Sequence, residues 1–484
     1  MSKYYPVIGL EVHAQLKTQT KLFCSCSTEF GATPNSNVCP GCLGLPGSLP
    51  VPNNEAVRLA IRLGLALNCE IELNAQWTRK NYFYPDIPAG YQTTQIGGDL
   101  VFDHPIAKNG WLEIELEDGS TKRIGITRIH MEEDAGKLIH DLSPNNSHFD
   151  ANRCGTPLCE IVSEPDIRSP QEAVLYLQKL KQILEYTDTC DANMEEGNLR
   201  CDANVSIRPS EDAPFGTRSE IKNLNSFSNL EKAVEAEISL QAVTIDSGHT
   251  VEQCTKRYDV SSAKTITIRS KEDAQDYRYI PDPNLARMKV SPELIKEIGD
   301  AMPELPDQRR ERFVADYEIT PYDSIVLTME KDVSEWFDQA AQDCKNPKLL
   351  ANWVITDLLR EVKDQEGGLA EVKIQPKQLA AMVNLIEDKT ISGKIGKTVF
   401  DEMLKTGEDP AKIIEAKGLV QITDPDSIEK VVREVIAENP SQFEEFKGGK
   451  MAIKGFFVGQ TMRKTGGKAN PGMVNQILDK IAQE

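Results

Sequence analysis

No stretch of the sequence approaches the roughly 18 consecutive apolar residues that a membrane-spanning helix needs. The opening MSKYYPVIGLEVHAQL alternates apolar with polar residues, so it lacks the continuous apolar segment of a secretory leader. These absences predict a cytoplasmic protein. Positive charge is also scarce. Lysine and arginine total 55 against 75 aspartates and glutamates, a formal net charge of -20. Such a chain is unsuited to non-specific attachment to nucleic acid or anionic membrane, although a local basic patch is still possible. Hydrophobic residues at 39% and charged residues at 27% exclude wholesale disorder. Internal repeats and low-complexity tracts are missing.

Familiar active-site motifs are missing too. Gly393-Lys-Ile-Gly396-Lys397-Thr398 ends like a phosphate-binding loop, but the first glycine of that pattern falls on Ile391. There is no Gly-x-Ser-x-Gly elbow. If the chain uses ATP, it does so outside a Walker-type fold.

What is present divides the chain into a β-rich part and a helical part, an α+β protein. Over residues 1–290, strand-like alternation recurs at Val7–Leu16, Leu112–Leu116, Ile124–Met131 and Cys201–Ile207. Two helices are expected to interrupt these strands, opening at Ser169-Pro170 and near Ser226. At Ser291-Pro292 a serine cap followed by proline starts a helix, and helical patterns dominate from there. A break at Thr406-Gly407-Glu408-Asp409-Pro410 separates a helical domain, 291–406, from a tail domain, 407–484.

Four of the 11 cysteines are clustered in CSCSTEFGATPNSNVCPGC. Cys24-x-Cys26 and Cys39-Pro-Gly-Cys42 make two chelating pairs. Four thiolates close a tetrahedral zinc site with no open position, which makes the site structural. A redox role for Cys39-Pro-Gly-Cys42 is the rival, but the strand–helix context is wanting. Cys69, Cys154, Cys159, Cys190, Cys201, Cys254 and Cys344 read as small buried apolar residues.

In VIGLEVHAQL, side chains alternate across the strand, so Ile8, Leu10, Val12, Ala14 and Leu16 share a core face. Glu11, His13 and Gln15 share the other. Taken alone, this is the wet face of an antiparallel strand. Yet Asp202, Asn204 and Ser206 form a similar face, Ile124–Met131 runs into Glu132-Glu133-Asp134, and Glu160 sits inside an apolar run. Carboxylates converging on one surface repel each other unless a cation lies among them. Oxygen donors suit Mg2+, whereas His13 is an awkward ligand for it and can act instead as base or orienter.

Two runs mix aromatic with basic residues: Arg79–Asp86 and Arg269–Tyr279. Either can stack a nucleotide or an RNA end, and either can be an aromatic edge strand. From Lys447 to Lys468 the tail is basic and glycine-rich, with Lys450, Lys454, Arg463, Lys464 and Lys468 and no acid. It is either a solvated surface or a phosphate-contacting patch.

The segments VIGLEVHAQL, RKNYFYPDIPAGYQ, ITRIHMEEDAGK, GTPLCEIVSEPDIRSP, EEGNLRCDANVSIRP, EIKNLNSF and DYRYIPDPNL, with the tail KGFFVGQTMRKTGGKANPGMVNQIL, resemble the GatB family. These are the second-lettered members of the glutamyl/aspartyl-tRNA amidotransferase complexes, and the resemblance spans essentially the whole chain. It implies a β-rich cradle, a helical domain and a small helical tail, with the last two gripping tRNA. It implies a heterotrimer in which an amidase subunit releases ammonia from glutamine and a small third subunit clamps the other two together. The GatB-type chain then uses ATP and Mg2+ to phosphorylate the side-chain carboxylate of Glu or Asp mischarged on tRNA, and ammonia displaces the phosphate. Carried onto this sequence, the resemblance makes Glu11, His13, Glu133 and Glu160 the magnesium shell. Glu132 and Asp202 follow as further catalytic candidates, and Lys80 becomes a phosphate contact. In the family the four cysteines occur in some members only, which fits a structural zinc. The alternative in another class is a non-catalytic tRNA-binding scaffold.

Overall fold

The computed structural model describes residues 3–96, 103–140, 145–270, 277–363, 368–419, 424–466 and 468–483. The chain forms two compact units, Met1–Leu305 and Pro306–Glu484.

In the first unit the strands are β1 (Tyr5–Gln15), β2 (Glu70–Ile71), β3 (Asn74–Ala75), β4 (Thr78–Asn81), β5 (Tyr91–Thr94), β6 (Ala107–Glu115), β7 (Thr121–Glu133), β8 (Lys137–Ile139), β9 (His148–Asp150), β10 (Pro157–Ser163), β11 (Leu199–Arg208), β12 (Ser219–Leu224), β13 (Cys254–Asp259), β14 (Lys264–Ser270), β15 (Arg278–Pro281) and β16 (Met288–Lys289). Nine of them make one sheet in the order β14-β13-β12-β11-β1-β10-β7-β6-β2. Neighbours run antiparallel except β12 and β13, which are parallel. Three others form the small sheet β15-β4-β5.

The alternation in β1 sets the two faces of the large sheet. Ile8, Leu10, Val12 and Ala14 are fully buried and pack with Ile129 and Met131 of β7, Cys159 and Ile161 of β10, and Cys201 and Ala203 of β11. Burying each large side chain of this set contributes about 1.5–3 kcal/mol. Helices α1 (Asn54–Ala66), α2 (Pro170–Tyr186) and α3 (Phe227–Asp246) cover that face. The opposite face carries the polar side chains.

The expected helix starts are present. The Ser169 side chain accepts from Glu172 N, with Pro170 in the first turn, and Ser226 accepts from Asn229 N. Helix α1 is one more than the sequence pattern led us to expect. Asn53 caps it by accepting from Glu55 N and Ala56 N, and Ala56, Val57, Leu59, Ala60, Ile61 and Leu63 bury its inner face. Helix α4 (Pro292–Asp300) does open after Ser291, but Ile298 joins the first unit's core. The compact unit therefore closes at Leu305 rather than near 290. Five of the scattered cysteines are buried, whereas Cys254 and Cys344 are only half-buried.

The second unit is helical: α5 (Pro306–Tyr317), α6 (Pro321–Thr328), α7 (Lys331–Gln342), α8 (Pro347–Trp353), α9 (Leu359–Lys363), α10 (Pro376–Glu387), α11 (Gly393–Thr406), α12 (Pro410–Lys417), α13 (Pro425–Glu438), α14 (Pro440–Lys447), α15 (Lys454–Lys464) and α16 (Pro471–Gln483). Ser392 caps α11, so the glycine–lysine segment there is an ordinary helix start. Gly407, in the left-handed region at φ 72°, ends that helix. The break does not end the core, because Ile413 and Ile414 of α12 join the cluster that begins at Phe313. A separate cluster runs from Ile428 to Ile481. Among the described residues no helix is long and apolar enough to cross a membrane.

Candidate functional site

Antiparallel register carries the polar face of the large sheet into rows. Across four neighbouring strands, His130 of β7 stands opposite Glu160 of β10, which faces His13 of β1, which faces Arg200 of β11. The next row places Glu11 opposite both Val162 and Asp202. Side chains opposite each other in such a ladder lie on the same face. Separate stretches of sequence thus deliver their polar groups to one surface.

The contacts are close. His13 Nε2 lies 3.3 Å from Glu160 Oε2 and 3.9 Å from Glu132 Oε1. His130 Nε2 lies 3.4 Å from Glu160 Oε2 and 3.6 Å from Glu132 Oε2. His13, Glu132 and Glu160 can each offer one donor atom, all within 4.8 Å of one another. Two carboxylates and one imidazole suit a divalent cation that accepts mainly oxygen ligands. Asn204 Nδ2 donates to Glu11 Oε1 at 2.8 Å.

Electrostatics follow from burial and pairing. Burial alone would raise Glu160, but His130 and His13 outweigh it and hold its carboxyl well below the usual range. Burial favours neutral His130, yet Glu160 and Glu132 raise it to about 9. His13 is raised for the same reason: its partners Glu160 and Glu132 overcome burial. Glu11 is raised by burial and by the Glu160 charge, despite the bond from Asn204.

These groups line a cavity of about 840 Å³. Lys80 of β4 lines it too, with Nζ 4.8 Å from the ring centre of Tyr277. The two aromatic–basic runs of the sequence meet here, because β4 pairs with β15 and sets Lys80 opposite Tyr279. β4 is the central strand of its sheet, not an edge. Residues 271–276 of the second run lie outside the described residues. Arg128, Arg200 and Lys222 add positive charge to the wall. Arg200 Nη2 is tied to Asp134 Oδ2 at 2.8 Å, and Lys222 to Glu220 at 2.9 Å and Asp202 at 3.3 Å.

The structure does not bring Glu133 to the cluster. It has the parity of Ile129 and Met131, one residue away from Glu132, and pairs with Pro157. Its carboxylate accepts from Thr93 N at 3.2 Å, and burial pushes it up to about 7. Asp202 is on the correct face but is engaged by Lys222 and by Asn223 N. Sequence reasoning passed over His130 and Arg200. Both have the parity of Glu132 and Asp202 on their own strands, which was a readable signal.

Cys24, Cys26, Cys39 and Cys42 converge as a second cluster, with all four sulfurs within 4.8 Å of one another. Cys42 Sγ and Cys39 Sγ are 3.9 Å apart. The edge of a tetrahedron with 2.3 Å metal–sulfur bonds is about 3.8 Å, so the cluster fits a structural metal.

In the tail, most lysines of the basic stretch are already paired. Lys450 meets Glu445 at 2.8 Å, Lys454 meets Asp479 at 2.7 Å, and Lys464 meets Glu438 at 2.7 Å and Glu434 at 3.1 Å. Arg463 is exposed and Lys468 half-buried.

A family profile described as the GatB/GatE catalytic domain matches residues 6–296, and one described as the GatB domain matches residues 335–481. A curated protein of Carboxydothermus hydrogenoformans, named as the B subunit of an aspartyl/glutamyl-tRNA(Asn/Gln) amidotransferase, is 53% identical over 488 residues, covering 100% of both chains. The protein of the same name from Brevibacillus brevis is 51% identical over 481 residues, covering 99% of each chain. The polar strand faces that build the cavity all lie inside the first matched segment, and the chain belongs to the GatB family.

Proposed function

We propose that this chain is the kinase and transamidase subunit of a glutamine-dependent tRNA amidotransferase. ATP phosphorylates the side-chain carboxylate of Glu or Asp mischarged on tRNA. The bond formed is between a carboxylate oxygen and the γ-phosphorus, and ADP leaves. Ammonia, released from glutamine by a partner amidase, then attacks the acyl carbon and expels phosphate, leaving the amide. A small third chain completes the heterotrimer. The observation that carries this reading is the in-register row His130–Glu160–His13–Arg200, with Glu132 and Glu11 beside it, on the wall of one cavity.

Phosphoryl transfer is catalysed chiefly by positioning and by meeting negative charge with positive charge. Glu11, His13, Glu132 and Glu160 are the residues that would hold Mg2+; Glu133 is left out because it faces away. When bound, the cation neutralises charge on the phosphate oxygens. The chain's own residues do the rest. His130 sits behind Glu132 and Glu160 and fixes their orientation. Asn204 orients Glu11. Lys80 stands over Tyr277 on the cavity wall, which suits it to meet a phosphate or the substrate carboxylate. Asp134 holds Arg200 in place by a bond of 2.8 Å. The four-cysteine cluster takes zinc as a structural ion, and the helical second unit contacts the tRNA.

A scaffold with no chemistry of its own has no need of convergent buried carboxylates, whose mutual repulsion costs stability. The test is Glu160→Ala in the assembled complex, assayed on mischarged Glu-tRNA and Asp-tRNA. ATP-dependent amide formation is lost, while glutamine hydrolysis by the partner survives in part. Normal transamidation by the variant would overturn the assignment.

A further inference from the structure

Lys21 is completely buried, an unusual position for an ammonium group. Its Nζ has three protons and three acceptors: Asn37 O at 2.8 Å, Ala151 O at 3.3 Å and Cys42 Sγ at 3.6 Å. Carbonyl dipoles solvate a cation but do not neutralise it. Among the described residues, Lys21 makes no ion pair with a carboxylate, and a buried charge without a counter-charge is strongly unfavourable. The anionic group its Nζ touches is Cys42 of the cysteine cluster; the Glu133 carboxylate is also near by, with Oε1 3.6 Å from where a Cβ on Gly155 would stand, but makes no ion pair with Lys21. Four thiolates around one Zn2+ carry a net charge of about -2, so the cluster has charge to be met.

The backbone around Lys21 is fixed on both sides. Lys21 N donates to Cys26 O at 3.0 Å and Leu22 N to Gly155 O at 2.8 Å. Gly155 adopts φ +80°, and a Cβ built there would lie 3.7 Å from both Cys42 Cβ and Lys21 Cδ. Asn37 belongs to the loop between the two cysteine pairs, while Ala151 leads towards β10, the strand of Glu160. One side chain therefore touches the metal knuckle, its connecting loop and the approach to the polar sheet face.

We propose that Lys21 is a positioning residue of the four-cysteine metal site: its ammonium offsets the thiolate charge at Cys42 and ties the loop of Asn37 to Ala151, keeping the sulfurs convergent. This rests on the reading that the cluster takes zinc. Outer-sphere partners of metal ligands typically change affinity by roughly ten- to a hundredfold.

The experiment uses the full chain, zinc as the probe, and Lys21→Met, which keeps the length of the side chain without its charge. Zinc affinity is measured by competition with a chromophoric chelator, and melting is followed with and without zinc. Affinity falls roughly ten- to a hundredfold, and the zinc-loaded protein loses more Tm than the metal-free protein, so the zinc-dependent rise in Tm shrinks. Lys21→Arg, which retains the charge, recovers part of the affinity. Unchanged affinity in Lys21→Met overturns the proposal alone. Equal loss in both variants, with a lower metal-free Tm, makes Lys21 a packing element and overturns it too. A wild-type chain that takes up no zinc overturns the zinc reading and this proposal with it.

Discussion

His13 and Glu160 face each other across β1 and β10, with Nε2 and Oε2 3.3 Å apart. The pair couples two segments widely separated in sequence, within a set in which His130 also meets Glu160 and Glu132 also approaches His13. His13→Gln keeps a polar group but removes the imidazole. It is expected to reduce ATP-dependent amide formation by roughly a hundredfold, the scale of losing one preorganised electrostatic contact. The measurement is single-turnover amidation with the assembled complex. A loss below about threefold would remove His13 from the site.

Lys80 stands on the central strand of the small sheet, over Tyr277. Lys80→Met should lower kcat/KM for ATP roughly a hundredfold and leave glutamine hydrolysis by the partner in place. Lys80→Arg should not restore full rate, because a planar guanidinium does not replace a compact ammonium. Steady-state kinetics in ATP, with ammonia supplied directly, separates the two steps.

Phe23 immediately precedes Cys24, the first of the four clustered cysteines, and meets Trp77 edge to face, with ring centres 5.1 Å apart. Trp77 is buried and leads into β4. Chelation of the metal is expected to loosen this contact and redshift Trp77 emission, read best with the other tryptophans replaced by phenylalanine. Thermal melting should shift down on chelation. An unchanged spectrum would mean that the cysteine cluster does not brace this part of the core.

Arg463 and Lys464 of α15 are both exposed, but Lys464, like Lys450 and Lys454, is engaged by acids, here Glu434 and Glu438, with Glu445 and Asp479 holding the other two. A lysine must leave its acid before it can serve a phosphate. Arg463→Ala should therefore weaken tRNA binding more than Lys450→Ala. It should also lower the salt slope of log K by about 0.7–0.9. Filter binding across a salt series tests this, and equal effects of the two variants would contradict it.

Glu237 is fully buried on α3 and accepts from Lys256 Nζ at 2.9 Å through both oxygens, from Thr265 and from Gln241. Burial would raise its pKa, but these partners outweigh it and hold the carboxyl below its usual value. With the folded pKa lowered, the stabilisation is present above the unfolded value of about 4.3. It is lost as pH falls through the folded value. Glu237→Ala should cost about 3–5 kcal/mol at neutral pH by stranding Lys256. It should also flatten the loss of stability between about pH 5 and pH 2. Urea midpoints across that range measure both effects.

Much of the large sheet was legible because period-2 alternation is strong where one face is buried. The strand of Glu11 and His13 and that of Asp202 and Asn204 read correctly on both faces. The same rule, followed one residue further along Ile129 and Met131, assigns Glu133 to their parity and frees His130 and Glu132 for the cavity. The choice of Glu133 came from the family resemblance and not from the alternation. Helix α1 is announced in the sequence by the Asn53 cap and by its apolar spacing, after an intervening glycine- and proline-rich stretch at 43–53. Which strands neighbour which was not readable. Placing β10 between β1 and β7 is a long-range packing outcome, and only that placement sets Glu160 between His13 and His130. Nor could the sequence show that the tail lysines are matched by acids from other helices.

β4 and β15 are far apart in the chain: Asn81 and Arg278, bonded through the Asn81 side chain at 2.5 Å, are 197 residues apart. Ribosomes add about 5–20 residues per second, so roughly 10–40 seconds separate synthesis of the two strands. Through that interval Lys80 has neither Tyr277 nor Tyr279 beside it, and one edge of β4 is unpaired. The wall of the cavity that Lys80 and Tyr277 build is thus a late product of translation. A nascent chain halted before residue 278 would carry the His13–Glu160 pair without the wall that faces it.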